Sequence, residues 1–537
     1  MLRFGIMCAG RSFPQWQASV IRRLLERGGA APALLIVRAA AAAPKRPGTL
    51  DALRKPKLLW RLYQRCNQPR ALAPISLDAE LAGVPQIVCA TTRRGRFSEY
   101  FSAHDVERIR GYDLDFILRF SFGIIRGDVL ESARYGVWSF HHGDETRYRG
   151  GPPGFWEIER GDPVCGAVLQ RLTDRLDAGI ILRRGYFKTI DYSYARNVNH
   201  LFMGTVEWPA SVAAEIRATG DTAVARPPSG SSAPILVAPT NLQMLRFGIR
   251  LGRNVLRRIV KRMQREEWNV GIAPITREQV LRGCRVSGVR WHPRLRDGWI
   301  ADPMARSVDG TLHVLCERMN LPANKAHIAS ITFDGKNWNG ERSVIEPSCH
   351  ASYPYLFTDG SDVFCVPETA AAHRVAMFRS VEFPKRWEYA GTLVDGVSLV
   401  DSTVFKFEDY WWLLCTAADA TAERLLAYYA LDPRGPWQPH ALNPVKIDVR
   451  CSRPAGPPFW YEGRCYRPAQ DSSRSYGGRI AVNRIERLTP TEFCEETVAY
   501  VEPDPRAPYG EGLHTLSFAG DRCVIDGKRY RWKRIGR

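Results

Sequence analysis

The stretch FHHGDETRYRGGPPGFWE, residues 140–157, holds side chains that acid–base chemistry requires. His141 and His142 can hold or transfer a proton near neutral pH, and the carboxylate of Asp144 follows two positions later. Considered alone, two adjacent histidines and an aspartate occur more often in a solvated turn than in a catalytic loop. The elements around the stretch therefore decide between these interpretations.

Basic residues indicate an anionic partner. Arg147 and Arg149 flank Tyr148 and could bind a substrate phosphate, although surface arginines in salt bridges are at least as common. The chain of 537 residues carries a formal net charge of +20, which fits a phosphorylated substrate, nucleic acid or an acidic membrane surface. The sequence has no zinc finger, no RNP-type aromatic motif and no P-loop, so we expect no specific nucleic-acid partner.

The segments before and after the stretch predict a parallel α/β sheet. Buried strand-like runs alternate with helix-like segments. The predicted strands are LRFGIMCAG, ALLIVRA, PQIVCAT, LDFILRF and VWSFHH, followed by GAVLQRLT and GIILRRGYFKTI. Helices are predicted from Pro14 to Arg27 and from about Ala195 to Ala218. We interpret the N-terminus as the first strand, because its apolar part is too short for a secretory signal.

With its flanks, GVWSFHHGDETRYRGGPPGFWEIERGDPVCGAVLQRLTDRLDAGIIL, the stretch resembles the formyltransferase domain of enzymes that use 10-formyltetrahydrofolate. The resemblance covers roughly residues 1–220 and implies a Rossmann-like fold. In an alignment without gaps, the family histidine falls on His141 and the aspartate of the Leu-Asp-x-Gly motif falls on Asp177. Ser139 replaces the family asparagine that binds the formyl oxygen, and GDET replaces the usual Ser-Leu-Leu-Pro loop.

This resemblance implies roles for the residues. Formyl transfer passes through an intermediate with an oxyanion, and an amine acceptor must lose a proton. His141 would stabilise the oxyanion, Asp177 would keep the imidazole protonated, and Ser139 would donate one hydrogen bond with shorter reach than asparagine. His142 and Asp144 could share this chemistry or mark a changed reaction. The formyl donor would be 10-formyltetrahydrofolate, and no metal is required. A domain that only scaffolds is the alternative.

A linker and a basic helix follow. Residues 225–234, ARPPSGSSAP, are typical of a linker. Residues 242–266 predict a basic amphipathic helix whose apolar side packs on a neighbouring domain or lies on an anionic membrane surface. Its basic side holds Arg246, Arg250, Arg253, Arg257 and Lys261, and its apolar side holds Leu245, Ile249, Leu256, Ile259, Val260 and Met263.

From about residue 283 the sequence predicts strands and turns, and it repeats. A cysteine recurs at one place in five units, at Cys316, Cys365, Cys415, Cys465 and Cys523. Five such units suit a five-bladed β-propeller, in which the cysteines fill one packing position without a redox role. A second marker precedes each cysteine, at Asp302, Tyr353, Asp401, Arg453 and His514.

The motifs WIADPMA, SYPYLF, LVDSTVF, RPAGPPFWYEGRCYRPAQD and GLHTLS resemble the propeller of plant glucosamine inositolphosphorylceramide transferases, which is related to five-bladed glycosidases of the arabinanase type. The five markers are expected to converge on one central pocket, with Glu317 and Glu368 nearby. Glycoside hydrolysis needs two carboxyl groups, but the fourth-blade position that corresponds to the acid glutamate offers Arg453 and Gln470-Asp471. Sugar binding is therefore preferred over hydrolysis. The alternative is that these residues are hydrogen-bonded strand starts that hold the blades together.

These observations predict a cytoplasmic two-domain enzyme. The expected domains are a formyltransferase-like α/β domain at 1–220, the linker and basic helix at 221–280, and the propeller at 281–537. The expected reaction transfers formyl to the amine of an amino sugar linked to a nucleotide or another phosphate. The alternatives are a non-catalytic glycan-binding or envelope-associated protein, and a propeller glycosidase with a vestigial formyltransferase domain. Thirteen cysteines without a CxxC pair fit a reducing compartment.

Overall fold

Two units make up the chain, and each has its own secondary-structure class. The computed structural model describes residues 1–27, 29–39, 57–95, 98–174, 179–221, 229–231 and 233–533. The units are Met1–Arg258, which is α/β, and Ile259–Arg537, which is almost entirely β. The predicted fold class is therefore confirmed. The division between the units falls inside the segment 221–280 that was predicted to connect them.

A seven-stranded sheet forms the centre of the α/β unit. The strands of this unit are β1 (Leu2–Cys8), β2 (Ser12–Pro14), β3 (Ala30–Arg38), β4 (Pro74–Ser76), β5 (Gln86–Cys89), β6 (Thr91–Arg94), β7 (Ser98–Phe101), β8 (Phe116–Arg119), β9 (Ile124–Arg126), β10 (Val137–His141), β11 (Arg149–Gly150), β12 (Val164–Arg171), β13 (Ile180–Lys188) and β14 (Ile235–Leu236). The order in the main sheet is β13-β12-β10-β8-β1-β3-β5. The strands from β10 to β5 run parallel, while β12 and β13 are antiparallel to their neighbours.

Helices cover this sheet because their apolar residues recur at helical spacing. They are α1 (Gln15–Glu26), α2 (Leu58–Cys66), α3 (Ala103–Arg110), α4 (Phe155–Arg160), α5 (Tyr194–Met203), α6 (Trp208–Thr219) and α7 (Asn241–Arg262). The single helix predicted for residues 195–218 was wrong, because two helices occupy this segment. Pro209 lies in the first turn of α6, where its missing N–H costs nothing.

The basic helix predicted for residues 242–266 is α7, but it ends at Arg262. Residues 264–266 belong instead to strand β15 (Gln264–Ala273), which pairs with the last strand of the chain. The linker predicted at 225–234 lies partly outside the described residues. Of the part that is described, Ser231 and Ala233 offer backbone oxygens to Arg149, as set out below.

The second unit contains five sheets, as the five sequence repeats predict. After β15 its strands are β16 (Cys284–Val286), β17 (Arg290–Trp291), β18 (Gly298–Val308), β19 (Thr311–Asn320), β20 (Lys325–Phe333), β21 (Trp338–Ile345), β22 (Ser352–Asp359), β23 (Asp362–Glu368), β24 (Arg374–Glu382), β25 (Arg386–Asp395), β26 (Leu399–Phe407), β27 (Tyr410–Ala417), β28 (Arg424–Ala430), β29 (Gln438–Pro439), β30 (Lys446–Ile447), β31 (Phe459–Tyr461), β32 (Arg464–Asp471), β33 (Arg479–Leu488), β34 (Phe493–Pro503), β35 (Leu516–Ala519) and β36 (Arg522–Trp532). One short helix, α8 (Arg277–Arg282), is also described in this unit.

These sheets are the blades of a propeller that closes between its two ends. Three sheets are formed by consecutive strands, β18 to β21, β22 to β25 and β26 to β29, with β30 pairing β28. A fourth has the order β16-β34-β33-β32-β31. In the fifth, with the order β17-β15-β36-β35, the first strand of the unit pairs with the last. This closure leaves no open end between the first and last blades.

The repeated cysteines occupy equivalent positions in the blades. Cys316, Cys365, Cys415, Cys465 and Cys523 lie on β19, β23, β27, β32 and β36, and all five are buried. None of the thirteen cysteines of the chain is in a disulfide. Burial raises the pKa of each of the five thiols. A protonated, buried thiol packs as a small apolar group, which agrees with the predicted packing role.

Candidate functional sites

His141 ends strand β10, and a tight loop folds back over its ring. Its Nε2 lies 2.9 Å from the carbonyl oxygen of Tyr148. Because a carbonyl oxygen can only accept a hydrogen bond, Nε2 carries a proton and donates it. Glycine at position 143 permits this fold, since a Cβ there would lie 2.6 Å from the Tyr148 oxygen and 2.9 Å from His141 Nε2. The loop thus holds the half-buried imidazole in one orientation.

Ser139 lies two residues before His141 on the same strand and is held by a half-buried arginine. Arg119, its neighbour in β8, donates to the Ser139 hydroxyl from Nε at 3.1 Å and from Nη2 at 2.7 Å. Its Nη1 donates to the carbonyl oxygens of Phe122 and Gly123. Burial lowers the pKa of Arg119, and Glu99 opposes this shift. Because Arg119 occupies both lone pairs of the Ser139 oxygen, the hydroxyl can only donate, and in this structure it donates to the carbonyl oxygen of Phe140 at 3.4 Å.

Arg119 is a residue of this site that sequence reasoning missed. The signal was an arginine inside the otherwise apolar strand LDFILRF. A charged residue in a buried strand needs partners, so an arginine at this position is a candidate site residue. The sequence could not name Ser139 as its partner, because the two residues meet only through the register of β8 and β10.

Asp177, the expected partner of His141, lies outside the described residues. It falls between β12 and β13 in the chain. Its predicted pairing with the imidazole therefore stays a prediction.

His142 points into an aromatic cluster. Its ring stacks on Phe202 at 3.8 Å between centroids and meets the edge of Trp16 at 5.0 Å. Its Nε2 lies 3.2 Å from the Thr205 hydroxyl. Burial, with His141 adding to it, lowers the pKa of His142 to about 3. The ring is neutral at physiological pH and packs against side chains of α1 and α5. His142 also lines a small cavity under the loop.

The remaining polar residues of the loop hold its own fold. Asp144 accepts from the backbone N–H and the hydroxyl of Thr146. Arg147 pairs with Asp162 at 3.0 Å, and its side chain is 56% exposed. Arg149 donates from Nη1 to the carbonyl oxygen of Ala233 at 2.8 Å. These contacts match the salt-bridge and structural interpretations of the two arginines more closely than a prepared phosphate site.

Glu157 is a second residue that the sequence did not single out. It lies on α4, lines the same small cavity as His142, and is only 1% exposed. Among the described residues its Oε1 has no hydrogen-bond partner. Burial, with a contribution from Asp144, raises the pKa of Glu157 to about 7. A buried carboxyl group that titrates near neutral pH is a candidate for proton transfer.

At the propeller axis the inner strands of three blades share an unusual backbone conformation. Asp302, Tyr353 and Asp401 have φ values of 52°, 42° and 52°. Each lies where the pairing of its strand with the next strand shifts register. A bulge of this kind turns a side chain away from the regular alternation, and left-handed conformations in non-glycine residues concentrate at functional sites. In three blades the predicted marker therefore lies at a bulge and has a left-handed backbone conformation.

The markers of the first and last blades meet around a histidine. His514 Nδ1 lies 2.5 Å from Asp526 Oδ2, and its Nε2 lies 3.5 Å from Asp302 Oδ1. Burial lowers the pKa of His514, but Asp526 and Asp302 outweigh it and raise the pKa to about 9. The ring also stacks on Trp268 at 3.9 Å. His514 is thus a buried imidazolium between Asp526 and Asp302, and burial raises the pKa of Asp302 to about 7.

The same three residues have ligand atoms close enough together to hold a metal ion. Within the part of the chain that is described, ligand atoms of Asp302, His514 and Asp526 lie within 4.8 Å of one another. However, a metal ion would have to displace the proton that Asp526 and Asp302 hold on the imidazole. The Asp526 Oδ1 atom already accepts from the backbone N–H groups of His514 and Thr515. The arrangement fits an ion-paired histidine better than a metal site.

The markers of the third and fourth blades form a second buried ion pair. Arg453 approaches Asp401 with Nε at 2.5 Å from Oδ2 and Nη2 at 3.2 Å from Oδ1. Gln470 donates to Asp401 Oδ2 at 2.9 Å, and Glu368 accepts from the Asp401 backbone N–H. Burial, with Asp401 adding to it, raises the pKa of Glu368 well above its usual range. The bidentate arginine neutralises the carboxylate that hydrolysis would need.

Two partly exposed side chains adjoin these buried pairs. His350 Nε2 lies 3.3 Å from Glu317 Oε1, and that contact raises the pKa of His350. Tyr476, 38% exposed, lies under the Arg453 guanidinium and meets the His514 ring edge-on. The structure therefore brings together the predicted propeller residues around one axis. It adds Tyr476 and Asp526 to them.

Comparison with known proteins shows that the chain is similar to two different kinds of protein. Residues 284–507 match the family model described as "Glucosamine inositolphosphorylceramide transferase 1, N-terminal". The chain is 29% identical to glucosamine inositolphosphorylceramide transferase 1 of Oryza sativa subsp. japonica over 210 residues, 37% of this chain and 28% of that protein. It is 32% identical to methionyl-tRNA formyltransferase of Caulobacter sp. (strain K31) over 111 residues, 20% of this chain and 33% of that one.

The chain joins a formyltransferase-like N-terminal domain to a propeller similar to the N-terminal region of these plant transferases. It spans about a third or less of the length of the curated relatives that it matches. Among solved structures, a family 117 glycoside hydrolase from Zobellia galactanivorans has a TM-score of 0.32 at 14% identity, covering 42% of this chain and 84% of that one. Glycinamide ribonucleotide transformylase 1 from Symbiobacterium toebii has a TM-score of 0.27 at 17% identity, covering 38% and 83%.

Proposed function

We propose that the α/β domain transfers formyl from 10-formyltetrahydrofolate to the amine of an amino sugar. The observation that carries this proposal is the Arg119–Ser139 pair beside His141. The family asparagine donates a hydrogen bond to the formyl oxygen, and Arg119 leaves Ser139 with only a donor to offer. Serine therefore meets the chemical requirement at this position, and the donor set fits a formyl carbonyl.

The residues act in sequence on the transferring group. As the amine attacks the formyl carbon, charge develops on the carbonyl oxygen, and donors that are already oriented stabilise it. Ser139 and the Nε2–H of His141 each supply a donor once they exchange the carbonyl oxygens of Phe140 and Tyr148 for the oxyanion. The amine then loses its proton, for which Asp177 and Glu157 are the candidate acceptors. The C–N bond to the folate breaks, and that nitrogen regains a proton.

We infer that the propeller holds the glycan part of the acceptor. The charged and aromatic groups around its axis support sugar binding, and the name of the plant relatives refers to glucosamine, an amino sugar. Hydrolysis is less well supported, because two available carboxyl groups are required and Arg453 neutralises Asp401. The net charge of +20 favours an acceptor linked to a nucleotide or another phosphate. Thirteen unpaired cysteines are in keeping with a cytoplasmic reaction.

The test is a formylation assay with the whole chain. The protein is incubated with 10-formyltetrahydrofolate and a panel of nucleotide-linked and phosphate-linked amino sugars, and mass spectrometry detects the added formyl group. We expect His141→Ala to lower the rate by about 10²- to 10⁴-fold, while His104→Ala, an exposed histidine of the same domain, leaves it unchanged. Absence of a formylated product with every acceptor, or equal rates for the two variants, would contradict the proposal.

A further inference from the structure

Helix α7 is fastened to the α/β unit by one narrow side. Phe247 is 1% exposed and stacks on Phe155 at 4.6 Å between centroids. Asn254, also buried, donates to the carbonyl oxygen of Asp191 at 3.0 Å. Arg258 places its guanidinium 3.8 Å from the centre of the Tyr192 ring. These contacts recur at intervals of seven and four residues, so they lie along one side of the helix. The other sides of α7 therefore point away from the residues that hold it.

A continuous apolar row lies on a different side and is exposed. The exposed fractions are 60% for Leu242, 58% for Leu245, 67% for Ile249, 62% for Leu256 and 51% for Ile259. Their spacing follows the period of 3.6 residues, and a helix of 22 residues is about 33 Å long. Exposed apolar residues scattered singly need no explanation, but a contiguous row of this length marks an interaction surface.

A basic row runs beside the apolar one. Arg246, Arg250, Arg253, Arg257 and Lys261 are exposed and follow the same helical period. No Asp or Glu occurs between residues 241 and 262. No carboxylate among the described residues forms a salt bridge with these five side chains. The charge is therefore available to an external anionic surface that also accepts apolar side chains.

We propose that α7 lies flat on a bilayer that contains anionic lipid. The apolar row would enter the boundary between headgroups and acyl chains, and the basic row would contact headgroup phosphates. A bilayer accepts both rows at once, whereas a phosphorylated small molecule would contact only the basic row. The row of arginines makes a flat orientation more favourable than a crossing one. This proposal is independent of the reaction that the α/β domain performs.

Vesicle sedimentation of the full-length protein tests the proposal. Vesicles of pure phosphatidylcholine are compared with vesicles that contain about one third phosphatidylglycerol. We expect binding to the second kind only, falling as salt is raised, because screening weakens surface electrostatics. Neutralising three arginines, with Arg246→Gln, Arg253→Gln and Arg257→Gln together, should lower partitioning about 100-fold, since each basic residue contributes about fivefold near an anionic surface.

A second variant, with a matched control, tests the contribution of the apolar row to vesicle binding. Replacing Leu245, Ile249 and Leu256 together by serine should abolish binding without lowering Tm, because all three side chains are exposed. The matched control, Val381→Ser with Leu431→Ser, changes exposed apolar residues of the propeller and should leave binding intact.

Three outcomes would overturn the proposal. The first is no sedimentation with either kind of vesicle. The second is equal binding to neutral and anionic vesicles that the arginine variant leaves unchanged. The third is a dimer in solution that the serine variant dissociates while no vesicle is bound, which would make the apolar row a contact between two copies of the chain.

Discussion

The two buried sites hold their charges in opposite ways. At the propeller axis, cations face carboxylates: Arg453 forms a bidentate pair with Asp401, and His514 lies between two aspartates. Among the described residues of the α/β domain, Arg119 donates to neutral oxygens, and one carboxylate oxygen of the buried Glu157 has no hydrogen-bond partner. Paired charges stabilise one arrangement, whereas unpaired ones are available to substrate or proton. This contrast is consistent with the proposed transfer reaction in the α/β domain and the proposed binding role of the propeller.

Breaking the Arg453 pair should give the largest effect on stability. Arg453→Met leaves Asp401 buried without its partner, which costs about 3–5 kcal/mol. Urea unfolding followed by tryptophan fluorescence measures this loss. The double variant Arg453→Met, Asp401→Asn should recover at least about half of it, because no charge is then left unpaired. A loss below about 1 kcal/mol in the single variant would show that water already reaches Asp401, and the contrast between the two sites would fail.

Glu157→Gln should act in the opposite direction and depend on pH. The folded carboxyl has a pKa of about 7 and its ordinary value is 4.5. Because the folded pKa is the higher one, stability is lost as the pH rises from 4.5 through 7, by up to about 3 kcal/mol. Glutamine removes this loss, so the variant should be more stable than wild type at pH 8 and equally stable at pH 4. Thermal unfolding at both pH values measures the difference.

The control for this experiment is Glu159→Gln, on the same helix and only half-buried. It should change stability by the same small amount at both pH values. If Glu157→Gln behaves like this control, the Glu157 carboxyl group is paired or hydrated in solution. Glu157 would then no longer be a candidate for proton transfer.

Arg147→Gln should give the smallest effect. Its pair with Asp162 is more than half exposed on the arginine side, and such surface pairs contribute about 0–1 kcal/mol. Unfolding free energy should change by less than about 0.5 kcal/mol, and KM for a phosphorylated acceptor should change less than about threefold. An increase in KM of tenfold or more would identify Arg147 as a phosphate ligand, as the sequence allows.

Much of the fold could be predicted from the sequence because it depends on local pattern. Alternation of buried strands and helices predicted the α/β sheet, and cysteines about 50 residues apart predicted the five blades. The end of α7 could not be predicted in this way. Its basic amphipathic pattern continues past Arg262, but residues from Gln264 onward pair with a strand more than 250 residues away. A local pattern carries no signal of such a distant partner.

The functional sites also contain some features that a local sequence pattern predicts and others that only the folded chain determines. The position of His141 at a strand end followed from the motif around it, and the propeller markers followed from the repeat. The partner of Ser139 did not, because Arg119 meets it through sheet register. Glu157 lies on a helix of only six residues, too short to show which of its sides is buried. Contacts across the sheet and burial within short elements are properties of the folded chain.

The most direct test of the central claim is calorimetric titration of the full-length protein with a stable analogue of 10-formylfolate. We expect binding near micromolar Kd, about −8 kcal/mol. Arg453→Met should bind equally well because it changes only the propeller, and Arg119→Leu should bind much more weakly because the donor at Ser139 is no longer fixed. No heat at millimolar analogue, or binding that Arg453→Met abolishes and Arg119→Leu does not, would contradict a formyl-folate site in the α/β domain.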